Sequence, residues 1–140
     1  MIRRAAIVAG IAAALAGCGP KNMARVSGRV VFKGQPVSGA LVMFVPPSGP
    51  GAGAVTDDDG RYTLLTGGRY GNWVFTGRCQ VSVGESDPYQ PRLKLPIPGR
   101  LASPVDSGLT ADLVPGPNVC DFDLPTDGPP APRWPTGREP

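Results

Sequence analysis

The stretch Val26–Phe44, VSGRVVFKGQPVSGALVMF, decides the fold class of this chain. In Val26–Phe32, every second residue is apolar or Gly, while Ser27 and Arg29 take the other face, which is the pattern of a half-buried β-strand. Ala40–Val45 is apolar on both faces and predicts a central strand. The KGQPVSG segment between them is rich in turn-forming residues. The stretch therefore predicts two strands joined by a reversal of the chain.

Similar patterns continue along the sequence. The DDDG segment, residues 57–60, predicts a tight turn because Asp accepts bonds from turn amides and Gly tolerates positive φ. PGPN, residues 115–118, also predicts a turn, and RLKLPIP, residues 92–98, predicts a short edge segment. Further inward faces are predicted for Tyr62 and Leu64, for Cys79, Val81 and Val83, for Leu109, Ala111 and Leu113, and for Cys120, Phe122 and Leu124. We expect an all-β fold, an antiparallel β-sandwich of about seven strands.

Composition excludes several classes of protein. The chain has 140 residues with 20 Gly and 18 Pro, which leaves no room for long uninterrupted helices. The net charge is +3, but residues 26–124 contain eight basic and nine acidic residues, so this part has no basic excess for binding nucleic acid. The sequence has no His. Catalysis that depends on His, and the commonest ligand of zinc, copper and iron, are therefore excluded.

The N-terminus, MIRRAAIVAGIAAALAGC, has the form of an export signal. Arg3 and Arg4 precede the uncharged run Ala5–Ala16, which is long enough for a signal peptide but too short to span a membrane. The run ends in LAGC, which resembles the lipobox of bacterial lipoproteins. The resemblance implies a signal peptide over residues 1–17, lipid on Cys18 and a linker over residues 18–25. The alternative is an ordinary signal peptide with an unmodified Cys18.

The order of motifs in residues 26–124 resembles a known family. VSGRVVFKGQPVSGALVMF, TDDDGRYTL, GRCQVSV and SGLTADLVPGPNVCDFDL together are similar to the carboxypeptidase-regulatory-like, transthyretin-like β-sandwich. The resemblance implies a non-catalytic module without a cofactor. Enzymes related to this fold use His residues, which this chain lacks. Residues 125–140 form a Pro-rich tail that we expect to be disordered.

Three groups of residues are candidate sites. Asp57, Asp58 and Asp59 are weak candidates for calcium, because the spacing of an EF-hand is absent and a solvated turn explains them. Cys79 and Cys120 are an even pair in an exported protein, so they form either a disulfide or two buried free thiols. Four aromatic residues can line a glycan- or peptide-binding surface or simply pack: Tyr70, Trp73, Phe75 and Tyr89.

Together these features predict a lipoprotein of the cell envelope, with the outer membrane favoured because Gly19, and not Asp, follows Cys18. We expect a structural or binding module, not an enzyme, held to a membrane by lipid on Cys18 and contacting an envelope protein or glycan. Nucleic acid is not an expected partner, and neither a cofactor nor a metal is expected. The alternatives are a carrier of a small ligand or glycan, and a hydrolase that uses Asp and Tyr residues.

Overall fold

The computed structural model describes residues 11–12, 22–87 and 89–129, and these form two packed β-sheets. The first sheet is assembled around one long strand, Met23–Phe32. The strands are β1 (Ile11–Ala12), β2 (Met23–Phe32), β3 (Gln35–Pro36), β4 (Ala40–Val45), β5 (Ala52–Val55), β6 (Arg61–Thr63), β7 (Val74–Phe75), β8 (Gly77–Glu85), β9 (Leu109–Leu113), β10 (Gly116–Val119) and β11 (Phe122–Asp123). Two 3-10 turns, Gly68–Tyr70 and Gly99–Ala102, complete the described elements.

In the first sheet, β2 has partners along both edges. β7, β6 and β3 pair antiparallel with its beginning, middle and end, while β10 and β11 run parallel to it on the other edge. β1 pairs antiparallel with the outer edge of β10. The expected antiparallel arrangement therefore holds except for β10 and β11. These two strands are parallel to β2 because the chain crosses over from the second sheet before it reaches them.

The second sheet has the order β5-β4-β8-β9 and is antiparallel throughout. β4 lies between β5 and β8, so the prediction of a central strand from its two apolar faces is confirmed. Its outward residues, Leu41 and Met43, are only partly buried.

The core lies between the two sheets. Phe44 of β4 contacts two rings of the first sheet, with centroids 6.3 Å from Tyr62 and 6.0 Å from Phe122. The residues that were predicted to face inward are all buried, in each of the four groups that begin at Tyr62, Cys79, Leu109 and Cys120. The alternation of the sequence is confirmed as the pattern of burial because side chains of a strand point to opposite faces in turn.

Two local predictions are wrong. PGPN does not form a simple turn, because Gly116–Val119 is strand β10 and pairs with β2. The amide of Asn118 bonds to the backbone of Val114 and Gly116 and so closes the preceding bend within the chain. RLKLPIP contains no strand, and its β-structure is limited to one bridge residue, Pro98. It is irregular, and Ile97 is buried against the core.

The long connection between β8 and β9 covers part of the second sheet. Ala102 lies against Gly84, where an added Cβ would come 2.9 Å from the Ala102 Cβ. Leu101 is fully buried. The Ser107 hydroxyl donates to the carbonyl oxygen of Val81, which fixes the end of the connection to β8.

The first residues of the Pro-rich segment contact this connection. The Gly99 amide donates to the carbonyl oxygen of Pro129 at 2.8 Å, and Arg100 binds both carboxylate oxygens of Asp127 at 3.0 and 3.1 Å. The sequence analysis placed the start of a disordered tail at Pro125, ahead of these contacts. Residues 130–140 of that tail lie outside the described residues.

Within the described part of the chain, no helix is long and apolar enough to cross a membrane.

Candidate functional site

Cys18, the predicted lipidation site, lies outside the described residues, as does most of the predicted signal peptide. β2 begins at Met23, within the predicted linker of residues 18–25. Strand β1 (Ile11–Ala12) lies within the predicted signal peptide, and β2 begins five positions after Cys18, at one end of the sandwich. We call this end, where β2 starts, the proximal end, and the end at Phe32 the distal end.

The two remaining cysteines are core residues. Cys79 and Cys120 are free thiols, both fully buried. Burial, with a smaller contribution from Asp112, raises the pKa of Cys79 to about 11. Burial, followed by Asp121 and Cys79, raises the pKa of Cys120 to about 12. At neutral pH both groups are therefore thiols and not thiolates, which makes them poor nucleophiles.

The Asp57–Gly60 segment is a turn in which the Asp57 carboxylate binds backbone amides. One oxygen of Asp57 accepts from the amides of Asp59 and Arg61, each at 2.9 Å. Asp58 accepts a bond from the Ser38 hydroxyl at 3.3 Å. In the described ranges, no three Cys, Asp or Glu side chains converge as a metal site.

Tyr62, predicted to face inward, is buried in a structural contact. Its hydroxyl donates to the carbonyl oxygen of Cys120 at 2.5 Å. Gly28 makes this approach feasible, since a Cβ there would lie 1.8 Å from the same carbonyl oxygen. Burial raises the pKa of Tyr62 far above its ordinary value, with Cys120 and Asp121 adding to the effect. The phenol therefore stays protonated and holds β6 to the segment that follows β10.

Near the proximal end, aromatic and basic side chains form two groups of contacts on neighbouring segments. The Arg25 guanidinium lies 4.6 Å from the ring centroid of Trp73, and Tyr70 packs edge-on against Phe75 with centroids 5.0 Å apart. Arg69 lies 5.7 Å from the ring of Tyr70. We call this set the arginine–aromatic surface. The two arginines are exposed and the three rings are partly buried.

Backbone pairing holds this surface in place. Phe75 pairs with Met23, so β7 fixes the loop that carries Tyr70 and Trp73 against the start of β2. The Thr76 hydroxyl donates to the carbonyl oxygen of Asn22 at 3.1 Å. The 46–51 loop reaches the same end, where a Cβ on Gly49 would lie 2.6 Å from the Phe75 ring.

The charges differ between the two ends. Among the described residues, the carboxylate at the proximal end is Asp112, which is paired with Arg78 at 2.9 Å on the exposed surface. The Arg78 hydrogen bond lowers the pKa of Asp112, so this carboxylate stays ionised. Charges of both signs lie toward the distal end, where the carboxylates of Asp57, Asp58, Asp59, Glu85 and Asp123 are accompanied by the basic residues Lys33, Arg61 and Arg92.

The structure joins three of the four aromatic candidates. Tyr70, Trp73 and Phe75 lie together, whereas Tyr89 is 85% exposed and follows the distal end of β8. Arg25 and Arg69 were not singled out by the sequence analysis. The sequence analysis had assigned Arg25 to the linker of residues 18–25. A signal that could have singled it out is its position as a basic residue shortly after the predicted lipidation site, Cys18.

No protein-family model matches the chain. No curated protein matches it either. Among solved structures, a DUF3823 family protein from Parabacteroides merdae is similar at a TM-score of 0.42 and 10% sequence identity. The similarity covers 75% of this chain and 48% of that chain, so this chain spans about half of that protein's length.

Proposed function

We propose that the protein is a lipid-anchored module of the bacterial cell envelope with a structural or binding role and no catalytic activity. The observation that carries the proposal is the LAGC sequence at residues 15–18, in register with Arg3, Arg4 and the apolar run. Two or more acyl chains on Cys18 would hold a small domain stably at a membrane without a spanning helix.

The positions of the reactive side chains support a non-enzymatic role. The carboxylate of Asp57 is occupied by turn amides, and the Tyr62 hydroxyl is buried against a carbonyl oxygen. Cys79 and Cys120 are buried and protonated. The packed two-sheet architecture agrees with a β-sandwich of the carboxypeptidase-regulatory-like type, the family that the sequence resembles, and the resemblance implies a non-catalytic module.

The anchor is tested by changing Cys18 in a bacterium that processes lipoproteins. The wild-type chain and a Gly19→Ala control should be recovered in the membrane fraction, with an intact mass that shows cleavage before Cys18 and acylation. Cys18→Ala should lose the acyl mass and leave the membrane fraction. Recovery of Cys18→Ala wholly in the membrane fraction would refute the anchor.

The absence of catalysis is tested with the purified mature protein and a panel of ester, amide and glycoside substrates. We expect no turnover above buffer. Turnover that a single substitution, such as Asp58→Asn, abolishes would favour the hydrolase alternative instead.

A further inference from the structure

We infer that the arginine–aromatic surface is a membrane-facing platform that lies against anionic phospholipid headgroups when Cys18 is lipidated. The inference rests on the proposed lipid anchor and adds an orientation to it: the proximal end faces the bilayer and the distal end faces away.

The length of the chain before the surface is the first support. Four residue steps separate Cys18 from Asn22, so their Cα atoms are at most about 14 Å apart even in a fully extended chain. The proximal end is therefore within reach of the headgroup layer. β2 has ten residues and extends for about 30 Å, so its distal end lies beyond the headgroup layer when the proximal end faces the bilayer.

The chemistry of the surface is the second support. Trp and Tyr are enriched at membrane interfaces because their rings combine an apolar body with a polar edge. Arg25 and Arg69 add positive charge, and Lys21 contributes a further charge in the sequence between Cys18 and β2. Each basic residue near an anionic leaflet strengthens association by about fivefold.

The distribution of carboxylates is the third support. Asp112, the acidic residue described at the proximal end, is neutralised by Arg78. The DDDG turn and Asp123 lie toward the distal end, where Lys33 and Arg61 accompany them, whereas the proximal surface carries Arg25 and Arg69. Electrostatics therefore favours one orientation of the tethered domain over the reverse.

The fluorescence of Trp73 tests the inference. The chain has two Trp residues, so Trp134→Phe leaves Trp73 as the sole Trp. The mature lipidated Trp134→Phe protein is reconstituted in phosphatidylcholine vesicles with or without phosphatidylglycerol, using lipids brominated near the headgroup as quenchers. The reference state is the same protein in a neutral detergent.

With phosphatidylglycerol present, we expect Trp73 emission to shift to shorter wavelength and to be quenched by the brominated lipids. Both effects should be lost in pure phosphatidylcholine and at 1 M salt, where the screening length is about 3 Å. Arg25→Glu with Arg69→Glu should abolish them. Lys33→Glu with Lys94→Glu, a matched reversal of two exposed charges away from this surface, should retain them.

The dependence of Trp73 emission on lipid and salt in the Trp134→Phe protein tests the inference even if the charge-reversed variant unfolds. Emission that is the same in vesicles and detergent, or quenching equal in both types of vesicle, overturns the inference. Exposure of Trp73 in vesicles would also result if the surface bound a protein or glycan instead. Intact mass separates the two failures: an acylated Cys18 with an exposed Trp73 refutes only the platform, whereas an unacylated Cys18 refutes the anchor and the platform together.

Discussion

Close contact between β2 and the segment after β10 depends on Gly28. The Cys120 carbonyl oxygen and the Tyr62 hydroxyl both occupy the space where a side chain would be. The sequence pattern VSGRV shows a Gly at an inward position of a strand, which marks a close approach of backbone or ligand. What approaches is decided by residues about 90 positions later in the chain.

We predict that Gly28→Ala is strongly destabilising. Its Cβ would clash with backbone at 1.8 Å, so β2 or residues 119–121 must shift. The free energy of unfolding should fall by about 3 kcal/mol or more, measured by urea denaturation.

Gly34→Ala serves as the control for Gly28→Ala. Gly34 has a φ of 79° and no atom within 4 Å of an added Cβ, so only backbone strain of about 1–2 kcal/mol is expected. A loss for Gly28→Ala no larger than for the control would show that β2 and the Cys120 carbonyl can separate freely.

Among the structural elements, the connection between β8 and β9 is joined to the C-terminal segment by one side chain. Arg100 donates to the carbonyl oxygen of Ser107 at 2.8 Å and to both carboxylate oxygens of Asp127. It thereby ties the connection to the chain that follows β11. Neither segment has a regular hydrophobic period, so the sequence pattern could not reveal the contact.

We predict that Arg100→Ala loosens both segments without unfolding the sandwich. Amide hydrogen exchange should increase at residues 99–107 and 126–129, while β4 and β8 should keep their protection. Arg92→Ala is a suitable control because it removes an arginine from the same connection without removing those bonds. Equal exchange in the two variants would argue against the role of Arg100.

For the molecule as a whole, the response of stability to pH follows from its buried weak acids. Cys79 and Cys120 have folded pKa values of about 11 and about 12 against an ordinary value of 9.0, and the pKa of Tyr62 is raised as well. Raised pKa values favour the folded state at low pH. This stability is fully present below pH 9 and is lost as pH rises through the folded values.

We predict a flat free energy of unfolding near neutral pH, since no His titrates there, followed by a decline above pH 9. Each free thiol should contribute a slope of about 1.4 kcal/mol per pH unit in that range. Urea denaturation from pH 6 to 11 measures this decline in the free energy of unfolding. In the double variant Cys79→Ala with Cys120→Ala, only the smaller decline due to Tyr62 should remain.

Thiol titration of the unfolded, unreduced protein provides the control for this prediction. Two reactive thiols beyond Cys18 would agree with the free cysteines of the structure. None would mean that the two cysteines form a disulfide, and the slope would then be absent.

The sequence by itself determined the fold class and the inward faces, because a period of two is a local property that fixes which side chains can share a core. Hence Tyr62, Cys79, Leu109 and Cys120 were placed correctly. Lipidation of Cys18 was also proposed from local sequence, since an export signal is recognised as a linear motif.

Only the tertiary structure decided which strands meet and what surface they build. The parallel pairing of β10 with β2 and the strand within PGPN depend on contacts between residues far apart in sequence, and no local pattern encodes such pairing. The same holds for the arginine–aromatic surface. Arg25 and Trp73 are brought together by the pairing of β7 with the start of β2, because a sheet joins distant segments by backbone hydrogen bonds that any sequence can form.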